Sequence, residues 1–167
     1  MLDRQLRILT NRLSRSLAGD ALIQSKTQQL RDRLNVDRIV LYYFYRKWKG
    51  QVTFESLSSP EFSILGSTGA DDCFTGEYAQ LYLEGRLKAI DNVDTAEIHP
   101  CHREFLNSIG VKANLVAPIL QDGELWGLLV AHHCRSPRVW SQKDKDEMRS
   151  VARELETVAV IRNVGYL

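Results

Sequence analysis

The sequence predicts an α+β domain whose antiparallel sheet is covered by helices on at least one face, and three features carry that expectation. Two leucine-patterned helical stretches open the chain. Runs of β-branched and aromatic residues fill its middle, and an Asp122-Gly123 turn joins two apolar runs towards its end. The 167 residues are 44% hydrophobic and 26% charged, as expected for one domain with a real core rather than for a disordered segment.

Leu2, Leu6, Leu9, Leu13 and Leu17 recur at helical spacing and form one face. Residues 1–18 therefore read as a helical extension that packs on the domain or on a partner chain, with 19–164 as the domain itself. Gly19 punctuates, Asp20 caps, and a second helix follows through Leu22, Leu30 and Leu34. From Arg38 the pattern turns to strand, with Ile39 to Tyr45 forming one run and Val52-Thr53-Phe54 a second beyond Gly50. Ser58-Ser59-Pro60 opens a loop that continues to about Ala70. Thr75 to Glu84 reads as a helix, Leu87 to Ile90 as a short strand and Asp91 to Glu97 as a connection. Pro100 suits the first turn of a helix that runs to Gly110. Ala113 to Leu120 and Leu125 to Ala131 form the hairpin. Ser141 then caps a long last helix carrying Met148, Val151, Leu155, Val158 and Ile161.

Bulk properties exclude more than they identify. A formal charge of +1 gives no global attraction to nucleic acid or to an anionic membrane. No apolar run approaches the roughly 20 residues that span a bilayer. The three cysteines are widely spaced and no secretory signal opens the chain, so a cytoplasmic location with reduced thiols is expected.

Reactive groups concentrate in Asp71-Asp72-Cys73-Phe74, in His99 to His102, and in His132-His133-Cys134. Cys101 follows Pro100 at a helix start and precedes His102, a setting in which the end dipole and a nearby imidazolium favour the thiolate. It can be a nucleophile towards an electron-poor double bond or a small packing residue. Cys101, His102, His132 and Cys134 are also acceptable zinc ligands, but neither C-x-x-C nor H-x-x-x-H spacing is present. A cysteine hydrolase built on Cys101 and His132 lacks an evident orienting acid. Trp48, Tyr78, Tyr82, Trp126 and Trp140 can line a pocket or simply pack. Lys112, Arg103 and Arg86 can meet ligand carboxylates or remain solvated. The residues by themselves leave the ligand open.

Trp48-x-Gly50 with Glu55-Ser56, Cys101-His102, the run Ala113-Asn114-Leu115-Val116-Ala117-Pro118-Ile119, and Leu125-Trp126-Gly127-Leu128-Leu129-Val130-Ala131-His132 together resemble a bilin-binding GAF domain of the phytochrome and cyanobacteriochrome superfamily. The resemblance spans about Gly19 to Val164. Asp71-Asp72-Cys73-Phe74 resembles the Asp-x-Cys-Phe motif of a two-cysteine cyanobacteriochrome subfamily, although Asp72 stands where proline is commoner.

The resemblance implies a GAF fold and a photoreceptor module carrying phycocyanobilin or phycoviolobilin, a linear tetrapyrrole. Cys101 would be the thioether anchor and Cys73 the thiol that adds reversibly to the central methine bridge. Addition would shorten the conjugation and give blue or violet absorption; release would give green to orange. Light would drive Z/E isomerisation of the bridge between rings C and D. Asp71 would contact the pyrrole nitrogens, His102 stack on the pigment, His132 neighbour ring D and Lys112 meet a propionate, with Phe74 and Tyr78 as further contacts. The module would catalyse no metabolite turnover beyond its own bilin attachment and isomerisation. It would signal through its terminal helices to an output domain and could pair as a homodimer. No role is assigned to His133, and Cys134 reads as a packing thiol.

Overall fold

In the computed structural model, residues 2–46, 49–68 and 76–162 are described, with the side chains of 2–3 and 76–79 outside the description. Two helices come first, α1 (Leu2–Ala18) and α2 (Ala21–Leu34). Asp20 caps α2 as its residue type predicts, its carboxylate accepting from the Ile23 amide at 2.9 Å. The strands are β1 (Arg38–Arg46), β2 (Lys49–Leu57), β3 (Lys88–Ile90), β4 (Ala113–Gln121) and β5 (Glu124–His133). Helices α3 (Gly76–Leu83) and α4 (Pro100–Ser108) lie between β2 and β4, and α5 (Gln142–Leu155) and α6 (Ala159–Arg162) follow β5. The five strands form one antiparallel sheet in the order β2-β1-β5-β4-β3.

The strand period of two sorts side chains onto two faces. Ile39, Leu41, Leu115, Ile119, Leu129 and Ala131 point into the larger core, where Leu17, Ile23, Leu30, Leu34, Met148 and Leu155 come from the helices. Val40, Tyr42, Val116, Leu128 and Val130 occupy the opposite face. The helical layer thus covers one side of the sheet and leaves the other for α3, α4 and the connecting loops.

The hairpin turn follows its sequence signal. Asp122 and Gly123 both have positive φ (50° and 80°), as a type I′ turn requires. A register shift between Ile119 and Leu120 skips Trp126 and bulges β5. Trp126 therefore turns into the helix-side core against Tyr43, 5.1 Å between ring centroids, while Leu125 stays on the other face.

Both glycines in the Trp48-x-Gly50 and Trp126-Gly127 motifs touch β1. A Cβ at Gly127 would lie 2.1 Å from the Tyr42 carbonyl oxygen, and one at Gly50 would lie 2.2 Å from that of Tyr43. Neither neighbour is a flexible side chain, so the strands themselves would have to separate. Gly127→Ala is expected to cost about 3 kcal/mol or more, read as a lowered urea midpoint.

One expectation changes. The last helix is not continuous: α5 ends at Leu155, and α6 begins at Ala159. Glu156 turns its carboxylate to the Leu120 amide (2.9 Å), and the break lets Val158 and Ile161 reach the core. Ser141 does cap α5, in a reciprocal capping box with Asp144. The leucine stripe of α1 packs at its C-terminal half on the chain's own core through Leu13 and Leu17, leaving Leu6 and Leu9 half-buried. No helix among the described residues is long and apolar enough to cross a membrane.

Candidate functional site

The sheet face away from the large helices holds a cavity of about 70 Å³. Val40, Tyr42, Val52, Val116, Leu128 and Val130 form its floor, and His102, Phe105, Leu106 and Ile109 of α4 and the turn after it form a wall. Tyr82, Ile64, Asn114 and His132 complete it. The two histidines are among the few polar groups in a largely apolar hollow, the arrangement typical of a small-molecule site.

The start of α4 explains how Cys101 and His102 come to the rim. Pro100 sits in the first turn, where its missing N–H costs nothing. His99 is the N-cap, its Nδ1 accepting from the Cys101 amide at 3.1 Å. Cys101 is half-buried and His102, one residue on, lines the hollow. Cys134 is a free cysteine.

His132 is held from behind by a residue that no local pattern flags. Arg38 is buried at 1% exposure and donates through Nε to His132 Nδ1 (3.0 Å), through Nη1 to the Phe62 carbonyl (2.6 Å) and through Nη2 to the Ile109 carbonyl (2.9 Å). A buried cation is costly unless its donors are paired, and these three bonds supply the pairing. A guanidinium has no acceptor, so His132 Nδ1 must use its lone pair and the ring carries its proton on Nε2. Asn114 stands opposite His132 in the β4–β5 register and faces the same hollow. It is 3% exposed, and its side-chain oxygen has no hydrogen-bond partner among the described residues.

Both cavity histidines are held neutral. His132 is pushed well below 6.5, first by burial, then by the Arg38 cation and by His102. His102 is lowered to about 4, again first by burial, then by Lys88 and His99. The unfolded chain therefore binds more protons below about pH 6.5, so this contribution is complete above that pH and declines on acidification. Unfolding free energy, read from urea titrations, is expected to fall between about pH 6.5 and pH 4, by at most about 1.4 kcal/mol per pH unit for each histidine. His102→Leu should shallow that slope.

Several candidates from the sequence lie elsewhere. Trp126 and Trp140 pack in the helix-side core, and Trp140 donates through Nε1 to the Ile90 carbonyl (3.1 Å). Arg103 binds the carbonyls of Val93 and Ala96, and Arg86 pairs with Glu84 at the surface. Lys112 is half-buried just before β4 and does not line the cavity. Asp71, Cys73, Phe74 and Trp48 lie outside the described residues, as does the side chain of Tyr78. Cys134 donates its amide to Asp37 (2.7 Å), and its thiol is raised, mainly by burial. His133 Nδ1 lies 2.6 Å from the Ser136 carbonyl oxygen. Among the described residues no three His, Cys, Asp or Glu side chains gather as a metal site. The hydrolase alternative also weakens, because His132, with Nδ1 committed and Nε2 protonated, has no lone pair to offer a thiol.

A family model for the GAF domain matches residues 18–158. The chain belongs to the GAF domain family. It is 53% identical over 93% of its length to an uncharacterised protein of Picosynechococcus sp., of which it covers 95%. It is also 39% identical over 84% of its length to a putative methyl-accepting chemotaxis protein of Synechocystis sp., but spans only 14% of that protein. Two solved GAF structures are similar. The blue-light absorbing form of the Thermosynechococcus elongatus PixJ GAF domain superposes with a TM-score of 0.72 at 29% identity, covering 81% of this chain and 83% of that one. The phycocyanobilin-bound GAF domain of a cyanobacterial phytochrome gives 0.70 at 27% identity, covering 88% and 93%.

Proposed function

We propose that this GAF domain is a photosensory module that holds a linear tetrapyrrole covalently at Cys101 and switches colour on illumination. The observation that carries the reading is the apolar hollow faced by His102 and His132, with Cys101 on the same helix turn as His102. Similarity to a phycocyanobilin-bound GAF domain and to a blue-light absorbing one supports the choice of ligand class.

The residues fit the chemistry of such a pigment. Phe105, Val116 and Leu128 offer apolar contact to pyrrole rings, and His102, on the first turns of α4, can lie against a ring face. His132 presents a fixed Nε2–H. The hollow itself, about 70 Å³, is below the roughly 300 Å³ at which ordinary ligand pockets begin, so it takes about one ring.

In this reading the bilin supplies light absorption and Z/E isomerisation at the C/D bridge. Cys101 holds ring A as a thioether. Cys73 adds to and leaves the central bridge, Asp71 meets the pyrrole nitrogens, and Phe74, Tyr78 and Lys112 make further contacts. Phycocyanobilin and phycoviolobilin are the two candidate pigments. Residues 19–164 act as the sensor and 1–18 as a helical extension, in a cytoplasmic setting. The module passes its signal to an output domain, consistent with the chemotaxis relative of which this chain covers a small part.

The test is co-expression with the enzymes of phycocyanobilin synthesis, followed by a denaturing gel under reducing conditions. A coloured, fluorescent band at the mass of the chain is expected. A colourless chain would sink the reading, leaving a GAF domain for another small molecule.

A further inference from the structure

The chain turns a corner between α5 and α6 that its local sequence does not impose. Leu155 to Arg162 contains neither glycine nor proline, the commonest causes of a sharp helix break. The corner is gripped from outside, by two adjacent residues at the end of β4. The Leu120 amide donates to the Glu156 carboxylate before the corner (2.9 Å), and Gln121 donates through Nε2 to the Arg162 carbonyl after it. β3 pairs with β4 only from Asn114 to Val116, so Glu156 stands where the end of β4 has no strand partner on that side. Ile161 anchors the corner from within, fully buried in the core that also takes Leu13 and Leu17 of α1.

In an unbroken helix, positions 156 and 162 lie about 9 Å apart along the axis, too far for neighbouring residues of β4 to grip both. Ile161 would then point about 120° away from Leu155, out of the core. The corner and the straight helix are therefore alternative packings of the same residues. We propose that this corner is a two-state latch on the terminal helices. Closed, β4 and the core hold α6 against α1; open, α5 and α6 join into one helix and α1 loses that neighbour. β4 carries Asn114 and Val116 at the cavity and Leu120 and Gln121 at the latch, so a ligand that displaces this strand acts on both terminal helices at one point. The inference rests on the reading of the domain as a sensor that signals through its terminal helices, and it names the element that does so.

NMR of the pigment-free full chain tests the latch. Ile161→Gln removes the anchor in the core, so the open form should dominate. The ¹³Cα shifts of Thr157 and Val158 should then move to helical values, and the Leu120 amide should exchange with solvent at least about tenfold faster, having lost its bond to a charged group. Glu156→Ala, a change outside the core, should raise the open-to-closed ratio by about tenfold and move the same resonances in the same direction. Glu156→Gln keeps an acceptor and should stay within about threefold of the wild type. Should Ile161→Gln fail to fold, the two Glu156 variants still decide. Shifts that move to coil values would mean fraying rather than a joined helix and would overturn the proposal, as would shifts that stay in place. Straightening in a chain that takes no pigment would sink only the photosensory reading, and a light-switching chain without it would sink only this one.

Discussion

Cys101→Ala is expected to abolish covalent pigment, so that a denaturing gel of the co-expressed chain shows no coloured band. The position rather than the residue type carries this expectation. Cys101 lies in the first turn of α4, where unpaired amides and the helix dipole favour a thiolate, and its neighbour His102 faces the hollow. His99 caps that turn by accepting from the Cys101 amide itself. His99→Ala should therefore slow attachment without removing it, a split that separates the nucleophile from the group that shapes its helix end. A coloured band that persists in Cys101→Ala would move the anchor to another thiol, with Cys73 and Cys134 the remaining candidates.

Cys73→Ala is expected to keep the pigment attached and to remove the blue or violet state. A thiol added at the central methine carbon makes that carbon tetrahedral and divides one long conjugated system into two short ones. Without the thiol, both isomers keep the long system and absorb in the green to orange range. Absorption spectra of the variant before and after illumination check this. If a blue-absorbing state survives, the reversible linkage belongs to another residue. Cys134 is a poor substitute: it is half-buried and burial raises its thiol above the ordinary range, so little thiolate is present near neutral pH.

Most of the fold was legible because its signals are local. Asp20 and Ser141 cap helices, Asp122-Gly123 turns the hairpin, and Pro100 opens α4, each through chemistry confined to a few neighbouring residues. The break between α5 and α6 was not legible, since the contact at it, the Glu156 carboxylate on the Leu120 amide, joins positions 36 apart in sequence. Trp126 went to the opposite face from the cavity for a similar reason. Its side depends on a bulge set by pairing with β4, and alternation counted along β5 alone misplaces it.

The site divides the same way. His102 and His132 are recognisable from their motifs, and both line the cavity. Arg38 was read only as the start of a strand, because its three partners lie 24, 71 and 94 positions away and nothing near it in sequence announces them. Asn114 sat inside a quoted motif without a role. Its meaning comes from standing across from His132, and strand register is a tertiary property.

Switching of this GAF domain by light is read from the difference spectrum of the purified, bilin-loaded chain. Saturating illumination at the absorption maximum should deplete that band and raise a second one on the other side of the blue-to-orange range. Light absorbed in the second band should then restore the first. A pigment whose spectrum is the same before and after illumination would mean that the domain is not a photoswitch.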